Sequence, residues 1–110
     1  SDATKCLAAG AHTAAAMVCF RVTEDIVRRY FKFKTGKKPP KSWKELLDIL
    51  SKRQNIRHSL IGHLNYLRDR RNEAEHPERT FHQEEAERIF MAVIDLAHEI
   101  YSEIPTQKRA

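Results

Sequence analysis

The chain has 110 residues, of which 41% are hydrophobic and 32% charged, a composition typical of folded globular domains and unlike that of disordered chains. Lys and Arg number 20 against 15 Asp and Glu, and the resulting net charge of +5 favours an anionic partner such as nucleic acid without requiring one. With only 3 glycines and 4 prolines the chain lacks the turn residues of an all-β fold, so we expect one helical domain over residues 1–110.

The N-terminal region and the cysteines indicate where the protein works. No apolar run approaches the roughly 18 residues of a membrane span, and Lys5 and His12 interrupt an alanine-rich start that matches no signal peptide. Cys6 and Cys19 fall in one predicted helix, about 20 Å apart, whereas a disulfide needs Cα atoms within about 7 Å. Two free thiols without an export signal predict a cytoplasmic location and no membrane partner.

The first predicted helix runs from about Lys5 to Phe33. Apolar residues spaced by three and four predict one buried stripe along it, and a second stripe begins in its later half. The paired prolines of segment 34–40 end the helix. The first stripe consists of Leu7, Ala11, Ala14, Val18, Val22 and Ile26, and the second of Phe20, Val27 and Phe31.

A second, short helix follows the prolines. Ser42 with Glu45 three residues later is a capping box, the usual signal of a helix start. The third helix covers about Arg57 to Glu75. The predicted buried face of the second helix consists of Trp43, Leu46, Leu47 and Leu50.

The fourth helix begins near Thr80, where Gln83 completes another capping box, and ends at Pro105. Four amphipathic helices with short connections predict an all-α fold, an antiparallel four-helix bundle. The predicted buried stripe of the fourth helix consists of Ala86, Phe90, Val93, Ala97, Ile100 and Ile104.

Arg71 breaks the pattern of the third helix. On a helical wheel it lies in the middle of the apolar arc that holds Leu64, Leu67 and Ala74. A guanidinium group stays charged in proteins and is costly to bury without a partner. Two structural explanations remain open: the side chain extends its head to water, or it pairs with an acid such as Glu24. A functional role is the third, because such violations concentrate at functional sites.

The residues after Arg71 favour the functional explanation. Pro77 disfavours helical geometry at His76, so the imidazole leaves the helix and is free to turn towards the arginine. A histidine can move protons near neutral pH, and an arginine can hold a phosphate in bidentate fashion. Together they suit RNA cleavage by the ribose 2′-hydroxyl, a reaction that needs no metal. Asn72 is placed to orient either the histidine or the phosphate.

With these residues the chain resembles the HEPN family, the higher-eukaryote and prokaryote nucleotide-binding domains. The family motif is an arginine, a polar residue, a few further residues and a histidine, and Arg71-Asn72-(three residues)-His76 fits it near the end of a long helix. Two other features are similar: an alanine-rich first helix with Arg21 and Glu24, and a short second helix, Trp43–Leu50.

The resemblance implies a HEPN-like fold and a metal-independent ribonuclease of toxin–antitoxin or defence systems. It also implies a homodimer in which the Arg and His of two protomers meet, with Arg71 and His76 as catalytic and Asn72 as supporting residues. An antitoxin of nucleotidyltransferase type is then a partner to expect. Two alternatives remain: a catalytically silent module for dimerisation or partner binding, and an unrelated basic bundle that binds nucleic acid.

Basic residues outside the motif are candidates for binding RNA. Lys37 and Lys38 belong to a run of five lysines that is able to hold a nucleic acid backbone, although a solvated loop is the plainer explanation. Arg68, Arg70 and Arg79 lie next to the motif and are candidate phosphate contacts. The other histidines and the cysteines show no zinc-ligand spacing, and no glycine-rich phosphate loop is present. We therefore expect neither a metal nor a cofactor.

Overall fold

The chain forms four helices, as its sequence predicts. A computed structural model describes residues 2–104, with side chains for residue 8 and residues 10–104. The helices are α1 (Asp2–Thr35), α2 (Trp43–Ser51), α3 (His58–Glu73) and α4 (Gln83–Glu103), and no strand occurs within residues 2–104. The all-α prediction is confirmed.

The buried face of α1 is the second predicted stripe, and the first stripe is wrong for the most part. Val18 and Val22 are 57% and 43% exposed, and Ala11 and Ala14 are exposed as well. Large aromatic side chains bury more apolar surface than alanines do, so their face of the helix turns inward. Leu7 lies outside the described side chains. The buried residues of α1 are Ala16, Phe20, Thr23, Ile26, Val27, Tyr30 and Phe31.

The two longest helices run parallel, which corrects the predicted antiparallel arrangement. Just ahead of α4, the Phe81 N–H donates to the hydroxyl oxygen of Thr13, in the first half of α1, at 2.9 Å. Near the ends of both helices, the Tyr30 hydroxyl donates to a Glu103 carboxylate oxygen, also at 2.9 Å. Only α3 runs the other way, since Ser59 at its start donates to Glu99 near the end of α4 at 2.8 Å.

The connection after α1 explains this topology. Gly36 adopts a positive φ of 69°, a conformation that side chains other than glycine rarely tolerate, and the chain then turns back along α1. There the Arg28 guanidinium donates to the carbonyl oxygens of Pro40 and Lys41 at 2.7 and 2.9 Å. Because the connection returns by about two turns, α2 starts beside the middle of α1. It runs in the same direction as α1, since Arg53, just after its end, donates to the Lys34 carbonyl oxygen near the end of α1 at 3.2 Å.

The predicted helix caps and buried faces of α2 and α4 have different outcomes. Ser42 caps α2 by accepting the Glu45 backbone N–H at 3.2 Å, and all four predicted apolar residues of α2 are buried. The capping box of α4 lies two residues later than predicted from Thr80 and Gln83, since His82 and Glu85 form it. The buried residues of α4 are Ala86, Ile89, Val93, Leu96 and Ile100.

Within the α4 stripe, Phe90 is 54% exposed, and Ala97 and Ile104 are half-buried. The inward position next to Phe90 is taken by Ile89, which is fully buried. The helix ends at Glu103, close to the predicted stop, although Pro105 itself lies outside the described residues.

Candidate functional site

The Arg71 side chain lies at the edge of the core. Leu64 and Leu67 on the same arc of α3 are buried, while the Arg71 side chain keeps 34% of its surface exposed. Its guanidinium carbon lies 5.1 Å from the centroid of the Trp43 ring, and its Nη2 lies 3.3 Å from Glu24 Oε1. The structure therefore shows the ion pair with Glu24 that the sequence left open, with a cation–π contact added.

The Glu24 carboxylate accepts hydrogen bonds from two arginines, Arg71 and Arg28. Its second oxygen accepts from the Arg28 Nε at 3.1 Å, and Arg28 also holds the connection between α1 and α2. This network joins α1, the start of α2 and the end of α3 through one carboxylate. Arg71 thus has a structural role, and it shares its negative partner with a second cation.

Arg71 lines a cavity of about 280 Å³ between α1 and the end of α3. Arg21 lines the same cavity from α1 and is exposed. Within the described part of the chain, Arg21 forms no ion pair, although Glu24 follows it by three residues. The cavity thus holds one paired and one unpaired guanidinium group. Its lining residues are Met17, Phe20, Arg21, Glu24, Arg71, Ala74 and Glu75.

His76 leaves the helix as predicted. The last residue of α3 is Glu73, and the His76 N–H donates to its carbonyl oxygen at 3.2 Å in a turn. The imidazole is exposed and lines an open cleft of about 570 Å³ together with Arg79 and His82. Arg71 does not line this cleft. A single protomer therefore gives the two motif side chains separate cavities.

The residues beside the motif are exposed or paired locally. Asn72 is exposed, and its carbonyl oxygen accepts the Glu75 N–H at 3.2 Å. Arg68 lies 3.6 Å from an Asp69 oxygen. Arg70 forms an ion pair with Glu73 at 2.5 Å and covers the Tyr66 ring at 5.3 Å, and its Nε is buried without a hydrogen bond. The supporting catalytic role of Asn72 and the roles of Arg68 and Arg70 in RNA binding stay predictions.

Arg79 holds the turn between α3 and α4 together. Its guanidinium forms ion pairs with Glu73 at 2.8 Å and Glu85 at 2.6 Å, lies 4.2 Å from the centroid of the Phe81 ring, and also contacts the Thr80 carbonyl oxygen. The Arg79 hydrogen bond and then the His82 backbone N–H lower the pKa of Glu85 to about 2. These partners give Arg79 a structural role in the turn, and its predicted contact with RNA stays a prediction.

Some lysines of the run form ion pairs within the described part of the chain and others do not. Lys37 and Lys38 are exposed and form no ion pair within residues 2–104. Lys34, by contrast, pairs with Glu103 at 2.7 Å and lies over the Tyr30 ring. Burial tends to raise the pKa of Glu103, but hydrogen bonds from Lys34 and Tyr30 lower it on balance. Lys34 therefore anchors the end of α1 to the end of α4.

Sequence reasoning missed two features of the site. The sequence places Arg21 on the first helix without linking it to the Arg71 cavity, and it predicts Trp43 only as part of the buried face of α2. The spacing of Arg21 and Glu24 on one side of the helix was the available signal for the first. No local pattern links Trp43 to Arg71, because the contact depends on the returning connection.

Three further observations bear on the chemistry of the site. No group of three or more His, Cys, Asp or Glu within the described residues is arranged to hold a metal ion. Among the described helices none combines the length and the apolar character needed to cross a membrane. Cys19 is a free thiol whose pKa is raised by burial, and the side chain of Cys6 lies outside the described ones.

Comparison with known proteins gives the family and no more. No curated protein matches the chain, and no solved structure matches it. One family model covers residues 1–110, the whole chain. The chain belongs to the family described as Domain of unknown function (DUF4145).

Proposed function

We propose that the protein is a metal-independent ribonuclease of HEPN type. The observation that carries the proposal is the Arg71-Asn72-(three residues)-His76 motif at the end of α3. Arg71 lines a cavity there, and His76 is exposed on the turn that follows. The likeness of motif and helix order to the HEPN family supports the same conclusion.

The reaction uses the RNA itself as nucleophile. The ribose 2′-oxygen bonds to the adjacent phosphorus, the bond from phosphorus to the 5′-oxygen breaks, and the products are a 2′,3′-cyclic phosphate and a 5′-hydroxyl. His76 takes the proton from the 2′-hydroxyl or gives one to the leaving 5′-oxygen, and solvent water makes the other of these two proton transfers. Arg71 holds the phosphate and stabilises its developing charge, and Asn72 orients one of these groups.

We propose further that the active form is a homodimer. Arg71 and His76 line separate cavities in one protomer, which supports a site that the residues of two protomers complete. A cytoplasmic role in a toxin–antitoxin or defence system, with an antitoxin of nucleotidyltransferase type as partner, accords with the family likeness.

Incubation of the purified protein with RNA in excess chelator tests the proposal. We expect cleavage that leaves a cyclic phosphate, and no cleavage of the same strand with 2′-deoxyribose throughout, because the nucleophile is then missing. Cleavage of the deoxy strand, or a requirement for a divalent metal, would exclude this mechanism.

A catalytically silent dimerisation or partner-binding module is the second candidate. The observation in its favour is that Arg71 is already used in the fold, by Glu24 and by the Trp43 ring. For such a module we expect no cleavage of any RNA, and we expect the Arg71→Lys and His76→Ala variants to retain dimerisation and partner binding.

A further inference from the structure

The cations of this protein divide into two groups by their partners. Arg28, Arg70, Arg71 and Arg79 each form an ion pair with a glutamate. An arginine neutralised in this way contributes little to the field that an approaching ligand meets. The unpaired cations therefore define where the protein attracts a polyanion.

Three unpaired cations follow one another on the outer face of α1. Arg21, Arg29 and Lys32 are exposed and form no ion pair within the described part of the chain. At 3.6 residues per turn they lie within an arc of about 80° of the helix. Asp25 is also exposed in this arc, which leaves a net charge of two positive units along it. We call these three residues the α1 basic face.

The α1 basic face is elongated along the helix axis. From Arg21 to Lys32 the rise is about 16 Å, which corresponds to about five nucleotides at the roughly 3.4 Å rise of a stacked strand. Cations arranged along a line fit a linear polyanion better than they fit one phosphate group.

Each end of the face meets another feature of the molecule. At one end, Arg21 lines the cavity that also holds Arg71. At the other end, the connection with Lys37 and Lys38 follows Thr35 and turns back along α1, where Arg28 binds the carbonyl oxygen of Lys41. The face therefore lies between the free lysines and the motif arginine.

We propose that the α1 basic face binds the phosphates of a single RNA strand and directs it into the Arg71 cavity, with Arg21 as the phosphate contact nearest to the reacting bond. The identity of the ligand as RNA rests on the proposed function. The assignment of the strand to α1 rests on the unpaired cations and their line along the helix.

The test is binding of a 2′-O-methyl oligonucleotide, which cannot be cleaved by its own 2′-oxygen, to the Arg21→Gln/Arg29→Gln double variant. Fluorescence anisotropy over a range of salt concentrations gives the affinity and its salt dependence. We expect the affinity to fall by about tenfold or more at low salt, and the salt slope to decrease by about 0.7 for each phosphate that is no longer neutralised. Glutamine is a good helix former, so α1 is retained.

Arg88→Gln is the matched control, because Arg88 is an exposed arginine of α4 without an ion pair in the described structure and lines a different cavity. We expect it to bind as the wild type does. Equal losses in the control and the double variant, or no loss in either, would overturn the inference. So would a double variant that loses binding to vesicles of anionic lipid while its affinity for the oligonucleotide is unchanged.

The outcomes for binding and for cleavage are separable. If the wild type binds the oligonucleotide through α1 but cleaves no RNA, the inference on the binding face stands and the proposed ribonuclease activity fails. If the wild type cleaves RNA and the double variant shows unchanged affinity and cleavage, the activity stands and the α1 basic face is overturned.

Discussion

Two arginines on either side of His76, Arg71 and Arg79, have opposite environments. Arg79 forms ion pairs with Glu73 and with Glu85 and covers the Phe81 ring. Arg71 has a single carboxylate partner, which it shares with Arg28, and covers Trp43. The difference lies in the carboxylates: Arg79 contacts two of them and holds a turn, whereas Arg71 shares its one carboxylate with Arg28 beside a cavity, so that its charge is the less fully compensated of the two.

The largest effect that this comparison predicts is on activity and comes from the residue between the two arginines. His76→Ala removes the group that we propose to transfer the proton, and it should lower the rate of RNA cleavage by about 10²–10⁴-fold. Because His76 is exposed on a turn, thermal unfolding should be unchanged. His98→Ala, at an exposed histidine of α4, is the control and should cleave at the wild-type rate. Equal rates for both variants would remove His76 from the mechanism.

The next largest effect is on stability. Arg79→Ala leaves Glu73 and Glu85 without their shared cation and removes the contact with the Phe81 ring. We expect the free energy of unfolding to fall by about 1–3 kcal/mol, since the pairs form a network around a partly buried guanidinium. Urea unfolding measures it, with Arg88→Ala as an unpaired control. A loss no greater than that of the control would show that the turn does not depend on Arg79.

The same turn predicts how stability depends on pH. The pKa of Glu85 is lowered to about 2 in the folded protein from an ordinary value of 4.5. Stabilisation by this carboxylate is therefore complete above about pH 4.5 and is lost as the pH falls towards 2. Allowing for solvent screening, we expect a loss on the order of 1–2 kcal/mol over this range.

Glu85→Gln tests this prediction through melting temperatures measured between pH 2 and 7. The variant should be less stable than the wild type at neutral pH and should lose less stability on acidification. Some dependence should remain, because the pKa of Glu103 is lowered as well. Parallel curves for the two proteins would contradict the role of Glu85.

The smallest expected effect on stability is at Arg71. Arg71→Lys keeps the charge near Glu24 but replaces the planar guanidinium that covers Trp43, so we expect a loss of about 0.5–1 kcal/mol. Cleavage should nevertheless fail, since an ammonium group does not hold a phosphate in bidentate fashion. Calorimetry measures the stability of the variant, and cleavage assays measure its activity. If its activity falls only in proportion to its stability, Arg71 acts in the fold alone.

The sequence predicts the local structure of each helix better than it predicts how the helices are arranged. The Ser42 cap, the apolar face of α2 and the release of His76 before Pro77 all follow from residues close together in the chain. The parallel course of α1 and α4 does not, because it depends on a returning connection that Arg28 fixes from twelve residues away. The buried face of α1 does not follow from local residues either, because two apolar stripes compete there and packing against the other helices decides between them.

At the candidate site, too, local features follow from the sequence and contacts between helices do not. Arg71 stood out because it violates an apolar arc, and Glu24 was among its expected partners. The Trp43 contact and the shared cavity with Arg21 arise where three helices meet, and no spacing within one helix encodes them. His82 as the cap of α4 was also missed, since Thr80 and Gln83 fit the usual capping pattern better.

The central claim is that Arg71 and His76 act together although one protomer gives them separate cavities. Mixing the Arg71→Ala and His76→Ala proteins under conditions of subunit exchange tests it most directly. Each variant alone should be inactive, and a mixed dimer should rebuild one intact site of two, so that the mixture recovers about a quarter of the wild-type rate. Differently tagged subunits show whether mixed dimers form. If they form and cleavage stays at the level of the single variants, the claim is contradicted.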